Sequence, residues 1–261
     1  MARTALMHVM VQAAIKAGRS LARDFGEVEN LQVSLKGPAD FVSAADRRSE
    51  QILHRELSKA RPGWGFLMEE NGTIEGDGVH RWIIDPLDGT TNFLHAVPLF
   101  TISLALEKAG QLVAGLIYNP VLDELFVAEK GSGAFLNDRR IRVGARKDLS
   151  DCVITTGIPH LGRGNHDRFL TELRMMMTEA AGIRRTGSAA LDLAWVAAGR
   201  FDGYWERGLK PWDMAAGIVL VREAGGFVVD GEGRDKMLET GDIIAGNEAV
   251  EKRIAAVISA R

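Results

Sequence analysis

The sequence predicts an α/β protein of two packed lobes, the first built on antiparallel strands, and three observations carry this. Between Thr101 and Val143 short apolar strands follow one another with only turns between them; beyond about Ala145 strands and helices alternate; and the stretch joining the two lacks the Pro/Ser richness or charge of a flexible linker. The expected division is a first lobe over residues 1–146 and a second over 147–261. With 261 residues, 46% of them hydrophobic and 26% charged, the chain can bury a large core and carries no compositional mark of disorder.

The first element, over Met1 to Arg23, is an amphipathic helix in which Leu6, Met10, Ala14, Ala17 and Leu21 recur at the helical period. Gln12, Lys16 and Arg19 break its apolar cluster well short of bilayer-spanning length, which argues against a signal peptide or a membrane span. Leu31 to Leu35 alternates as a strand. Ser43 with Asp46 three residues later reads as a capping box opening a helix to about Ala60, whose buried stripe is Ile52, Leu53 and Leu57. Trp64–Met68 and Trp82–Ile84 are short strands, and each runs directly into carboxylates: Glu69-Glu70 and Asp85. The meander comprises Thr101–Leu106, Val113–Tyr118, Glu124–Ala128 and Ala134–Leu136. In the second lobe, strands are expected near Val153–Thr156, Ile183–Arg185, Phe201–Trp205, Phe227–Val229 and Ile243–Ala245. Helices are expected there near Asp167–Ala180, Ser188–Ala198, Trp212–Ala224 and Glu248–Ala260.

Lys and Arg number 32 against 35 Asp and Glu, a net charge of −3, so there is no general electrostatic reason to expect a nucleic acid or an anionic membrane as partner. The single cysteine, Cys152, excludes an internal disulfide and a Cys/His metal cluster, and a reducing cytoplasm is the simplest compartment.

The most informative segment is Trp82-Ile-Ile-Asp85-Pro-Leu-Asp88-Gly-Thr-Thr-Asn-Phe93. Pro86 constrains the chain so that Asp85, Asp88 and the Leu87 carbonyl can aim at one point, an oxygen set suited to Mg²⁺. A helix beginning at Thr90 leaves the Gly89 and Thr90 amides as donors for a phosphate. Taken alone, the same residues describe a surface turn equally well. Pro211-Trp212-Asp213 puts another acid in the first turn of an apolar helix, where it also fits as an ordinary partner of the helix dipole.

Asp85-Pro-Leu-Asp-Gly-Thr-Thr-Asn92, Trp212-Asp-Met-Ala-Ala-Gly217 and Glu223-Ala-Gly-Gly226 resemble motifs of the inositol monophosphatase family, most closely its SuhB-like bacterial branch. Lys36, Asp40-Phe-Val-Ser-Ala-Ala-Asp46, Glu69-Glu70 and Gly187-Ser-Ala-Ala190 support the match, which spans about residues 4 to 260. The resemblance implies a layered αβαβα sandwich of the inositol monophosphatase and fructose-1,6-bisphosphatase type, with the site in the cleft between lobes. It implies a phosphoric monoester hydrolase that cleaves inositol 1-phosphate by metal-activated water, using two to three Mg²⁺ ions. Glu69, Asp85 and the Leu87 carbonyl would hold one ion and Asp85, Asp88 and Asp213 a second, with a weaker third near Glu69. Thr90, bonded to Asp46, would position the attacking water, so that Thr90, Asp46 and Glu69 form the catalytic set. Asp88, Gly89, Thr90, Gly187, Ser188, Ala189 and Glu206 would bind substrate, and Lys36 would lie near the metals. Family members also act on fructose 1,6-bisphosphate, 3′-phosphoadenosine 5′-phosphate and histidinol phosphate. SuhB-like members are associated with RNA polymerase and transcription antitermination, and homodimers are usual. Those substrates, and a transcription-complex partner, stand as alternatives.

The dispersed histidines, His8, His54, His80, His95, His160 and His166, show no ligand spacing and read as surface or packing residues. Met175-Met176-Met177 reads as helix packing, with a partner surface as the alternative, and Arg184-Arg185 as either an anion or protein contact or an exposed strand end. Arg207 departs from the family pattern and leaves three options: pairing with Glu206, reaching another subunit, or binding a second anionic group of the substrate.

Overall fold

Thr4 accepts a 3.0 Å hydrogen bond from the Met7 amide and thereby caps α1 (Ala5–Phe25), whose Met10, Ala14, Ala17 and Leu21 are fully buried as the periodicity requires. The computed structural model describes residues 4–27, 33–37, 40–162 and 164–259, with backbone alone for 33–37 and 40–42; Leu31 and the side chain of Lys36 lie outside what is described. A hairpin of β1 (Val33–Gly37) and β2 (Asp40–Ser43) leads into α2 (Ala44–Ala60). The predicted capping box is present: the Ser43 hydroxyl accepts from the Ala45 amide, and the Asp46 carboxylate accepts from the Ser43 amide at 2.8 Å.

The large sheet has eight strands in the order β10-β9-β8-β7-β6-β5-β3-β4. They are β3 (Gly65–Met68), β4 (Gly72–Ile74), β5 (His80–Asp88), β6 (Thr101–Lys108), β7 (Gln111–Asn119), β8 (Glu124–Glu129), β9 (Gly133–Leu136) and β10 (Arg139–Ile141). Between β5 and β6 lies the short helix α3 (Thr90–Leu94). Only the β3–β5 pair is parallel, so the expected meander is present. Alternation along the strands serves two cores. Trp82, Ile84, Ile102, Leu104, Leu116 and Val127 face α1 and α2, whereas Ile83, Ala105, Ile117, Phe126 and Ala128 face the opposite way.

The second sheet, ordered β12-β11-β13-β15-β14, comprises β11 (Val153–Thr156), β12 (Gly182–Arg184), β13 (Gly203–Glu206), β14 (Phe227–Val229) and β15 (Ile243–Gly246). Two helices, α5 (Ala189–Ala197) and α6 (Pro211–Glu223), fill the space between the sheets and share one core with both. On the outer face pack α4 (His166–Met177) and α8 (Glu248–Ser259); a short α7 (Met237–Thr240) precedes β15. The layers therefore run α1/α2, large sheet, α5/α6, small sheet, α4/α8, which is the αβαβα sandwich expected. Close approach of α6 to β7 depends on Gly115, where a Cβ would lie 2.5 Å from the Ala216 carbonyl oxygen. No helix among the described residues is long and apolar enough to cross a membrane.

Met176 is fully buried, Met175 packs partly buried against the same core and Met177 is 62% exposed, so the methionine run packs through its first two members.

Candidate active site

The Asp85–Asp88 segment is not a surface turn. It is the buried end of β5, where the ladder pairs Asp85 with Ser103 and Asp88 with Thr101, fitting three steps of one strand against two of the other. Pro86, which has no N–H, sits in this bulge and removes a rung. The bulge is held on one side by Ser49 of α2, whose hydroxyl donates to the Pro86 carbonyl at 2.8 Å, and internally by the Leu87 amide, which donates to Asp85 Oδ1 at 2.9 Å. Gly89 then adopts φ +95°, with Leu99 and Phe100 close to where a Cβ would stand, so the turn into α3 demands glycine.

That turn delivers Thr90. Its hydroxyl lies 3.1 Å from Asp46 Oδ1 and 3.1 Å from the Leu87 carbonyl oxygen. Asp46 is fully buried and fixed by Ser43, whose amide and hydroxyl both donate to Oδ2. Burial raises the Asp46 pKa above the usual carboxylate range, against the hydrogen bonds from Ser43 and Thr90.

Asp213 enters from the first turn of α6. It accepts from the Lys210 amide at 2.7 Å, as a dipole-stabilising residue would, and its carboxylate also reaches Asp85 and Asp88. One carboxylate oxygen from each of Asp85, Asp88 and Asp213 lies within 4.8 Å of the others. Burial, then Glu69, Asp88 and Asp213, push the Asp85 carboxyl well above its ordinary range. Burial pushes Asp88 up to about 6, opposed by hydrogen bonds from Ser188 and Ala190. Asp213 is driven well up by burial and then by Asp88. Such crowding disfavours the charged carboxylates, and a divalent cation would relieve it.

The three acids open onto a cavity of about 300 Å³ lined also by Glu69, Leu87, Gly89, Thr90, Gly187, Ser188, Ala189 and Glu206. The predicted site residues are thus brought together, with Asp46 behind Thr90. Six carboxylates line the cavity (Glu69, Asp85, Asp88, Asp192, Glu206 and Asp213), against one guanidinium, Arg185. An anionic substrate enters such a space only if cations offset the charge, and the all-oxygen donor set fits a hard divalent ion. Glu69 lines the same cavity and adds its charge to that of Asp85.

The sequence profile of the inositol monophosphatase family matches residues 3–261. The chain belongs to the inositol monophosphatase family. An inositol-1-monophosphatase of Mesorhizobium japonicum is 66% identical over 255 residues, covering 97% of this chain and 96% of the relative. The Nus factor SuhB of Escherichia coli is 42% identical over 252 residues, 96% of this chain and 94% of that protein. A crystal structure of the extragenic suppressor protein suhB from Bartonella henselae superposes with a TM-score of 0.96 at 63% identity, covering 98% of this chain and 99% of that one.

In this family member Glu206, at the end of β13, forms part of the cavity wall. Tyr204, fully buried, donates a 2.5 Å hydrogen bond to Glu206 Oε2. Gly157 leaves the room Glu206 occupies, because a Cβ there would fall 2.0 Å from the carboxyl group. Burial raises Glu206 to about 7, while the Tyr204 hydrogen bond and Arg185 act in the other direction. Of the arginine pair, Arg185 lines the cavity, whereas Arg184 donates to the neighbouring Ile183 carbonyl. Arg207 does not pair with Glu206. Its guanidinium is taken by Glu172 at 2.8 Å and Asp242 at 2.5 Å, a tie between α4 and the chain before β15.

Among the titratable lining residues, sequence reasoning missed two. His160 stands on the wall, its buried Nδ1 without a hydrogen-bond partner, and nothing in its sequence neighbourhood marked it. Asp192 was hidden in the apolar helix α5. It accepts from Thr155 at 2.8 Å, and burial raises its pKa well above the ordinary value.

Proposed function

We propose that this chain is a Mg²⁺-dependent phosphomonoesterase that hydrolyses inositol 1-phosphate to inositol and phosphate. The observation that carries the reading is the convergence of Asp85, Asp88 and Asp213 on one point of a strongly acidic cavity. Glu69, Asp85 and the Leu87 carbonyl would hold one ion and Asp85, Asp88 and Asp213 a second, with a third near Glu69. When bound, these ions supply charge neutralisation for the phosphoryl group and acidify water.

The protein's own groups do the rest. Thr90 Oγ1 accepts a hydrogen bond from the attacking water while its own proton points to Asp46 Oδ1, so that the buried, readily protonated Asp46 serves as proton acceptor. The Gly89 and Thr90 amides hold phosphate oxygens at the start of α3. Glu206 accepts from substrate hydroxyls, beside the Gly187-Ser188-Ala189 backbone. The division into lobes 1–146 and 147–261, a cytoplasmic location and a homodimer belong to the same proposal.

A panel of phosphate-release assays with Mg²⁺ tests it, comparing inositol 1-phosphate, fructose 1,6-bisphosphate, 3′-phosphoadenosine 5′-phosphate and histidinol phosphate. Preference for inositol 1-phosphate is expected; a clear preference for any of the other three contradicts the substrate assignment. Similarity to a Nus factor favours a second, coexisting role as a transcription-complex partner. The convergence of Asp85, Asp88 and Asp213 supports catalysis as the primary reading.

A further inference from the structure

On the face that α2 turns to the large sheet, three polar residues precede the apolar Leu53 and Leu57: Asp46, Ser49 and Glu50, each with no exposed surface. Asp46 receives the Thr90 hydroxyl, and Ser49 holds the Pro86 carbonyl. Glu50 is a carboxylate where a leucine would pack, and a buried carboxylate is costly unless its oxygens are fully engaged.

Among the described residues its hydrogen-bond partners all belong to one turn. Glu50 Oε2 accepts from the Glu70 amide at 2.9 Å, and Oε1 accepts from the Asn71 amide at 3.1 Å and from the Asn71 side-chain amide. Glu69-Glu70-Asn71 is the three-residue loop that joins β3 to β4, closed by Gly72 at φ +71°. Glu69 itself is tied to β5 through its amide, which donates to the Ile84 carbonyl at 3.2 Å. Strand β4 is only three residues long and forms the edge of the sheet, so it offers the loop little support. The loop that presents Glu69 is therefore pinned by β5 before Glu69 and by Glu50 after it.

We propose that Glu50 is a positioning residue that sets the direction of the Glu69 carboxylate by clamping the Glu69–Asn71 turn to α2. The inference rests on the reading of Glu69 as a metal ligand. One stripe of α2 then aligns both ligand-bearing segments: Ser49 the Asp85–Asp88 bulge, Glu50 the Glu69 turn.

Glu50→Gln keeps the volume but sets an NH2 group against a backbone N–H. Losing an outer partner of a metal ligand weakens metal binding by about 10–100-fold. The test is a Mg²⁺ titration of the full chain, read both by calorimetry and by the Mg²⁺-dependent rise in Tm, for wild type, Glu50→Gln, Asn71→Ala and Glu69→Gln. Expected is a rise of about tenfold or more in the Mg²⁺ half-saturation for Glu50→Gln, and a smaller rise for Asn71→Ala, which leaves α2 intact. At saturating Mg²⁺, kcat should return close to the wild-type value. A purely structural glutamate would lower the Tm in EDTA without moving Mg²⁺ half-saturation. If Glu69→Gln weakens Mg²⁺ binding while Glu50→Gln and Asn71→Ala leave it unchanged, the clamp is wrong and the ligand assignment stands. An unaltered Mg²⁺ response in Glu69→Gln overturns both. Should Glu50→Gln fail to fold, an unchanged half-saturation in Asn71→Ala overturns the clamp.

Discussion

Ser188 donates a 2.5 Å hydrogen bond to Asp88 Oδ2, joining residues 100 positions apart, and the Ala190 amide donates to the same oxygen at 2.7 Å. Asp88 thus belongs at once to the acidic cluster and to the N-terminus of α5, whose positive end favours its charged form. Ser188 is also the helix cap, accepting from the Leu191 amide. Ser188→Ala is expected to lower Tm by about 2–4 °C through the lost cap, and kcat/KM by about tenfold through the misdirected carboxylate. Thermal melts and phosphate release check the two effects separately.

Thr90 has one proton and two acceptors, Asp46 Oδ1 and the Leu87 carbonyl. Thr90→Ala is expected to cut kcat by about 10²–10⁴-fold, the usual range for loss of a proton-transfer group, with little change in Mg²⁺ dependence. Thr90→Ser should retain most of the activity. Equal losses in the two variants would show that the methyl group, not the hydroxyl, matters.

Glu206, raised to about 7 by burial, gives a pH dependence of definite sign. Between its ordinary value of 4.5 and about 7, the unfolded chain ionises while the native glutamate keeps its proton, so this residue's contribution to stability falls as pH rises. In EDTA, the Tm of Glu206→Gln should therefore decline less between pH 5 and 7.5 than that of wild type. The ionised form is the better acceptor for substrate hydroxyls, so the KM of wild type should fall as pH rises through about 7, and Glu206→Gln should lose that trend. Tyr204→Phe, which removes the 2.5 Å hydrogen bond, should raise KM more than it lowers kcat.

Much of this site was legible because its acids stand at the ends of elements with clear signals: an apolar strand before Asp85, a proline before Asp213, a serine cap three residues before Asp46. The β5 bulge was not legible, since Asp, Pro and Gly carry the same local signal in a surface turn, and only pairing with β6 buries them. Strands β4 and β10 escaped notice because each is three residues long and largely exposed, held by backbone pairing rather than by an apolar pattern. Glu50 and Asp192 lie in helices, where an acid ordinarily marks the solvent face. Their partners, Glu70–Asn71 and Thr155, are distant in sequence.

Crowded carboxylates destabilise the metal-free protein, and an ion that binds only the native state stabilises it by about 2.7 kcal/mol at a hundredfold excess over Kd. Mg²⁺ is expected to raise the Tm by several degrees over EDTA, and Asp213→Asn to lose most of that rise. Equal melting temperatures of wild type in Mg²⁺ and EDTA would count against the metal site.

The role proposed for Asp85, Asp88 and Asp213 is to hold the ions on which phosphate-ester hydrolysis depends. Its most direct test is the Mg²⁺-dependent release of phosphate from inositol 1-phosphate by wild type and by Asp88→Asn, both verified as folded. Robust turnover by wild type and its near abolition in Asp88→Asn are expected; full turnover in the variant would rule out this role for the cluster.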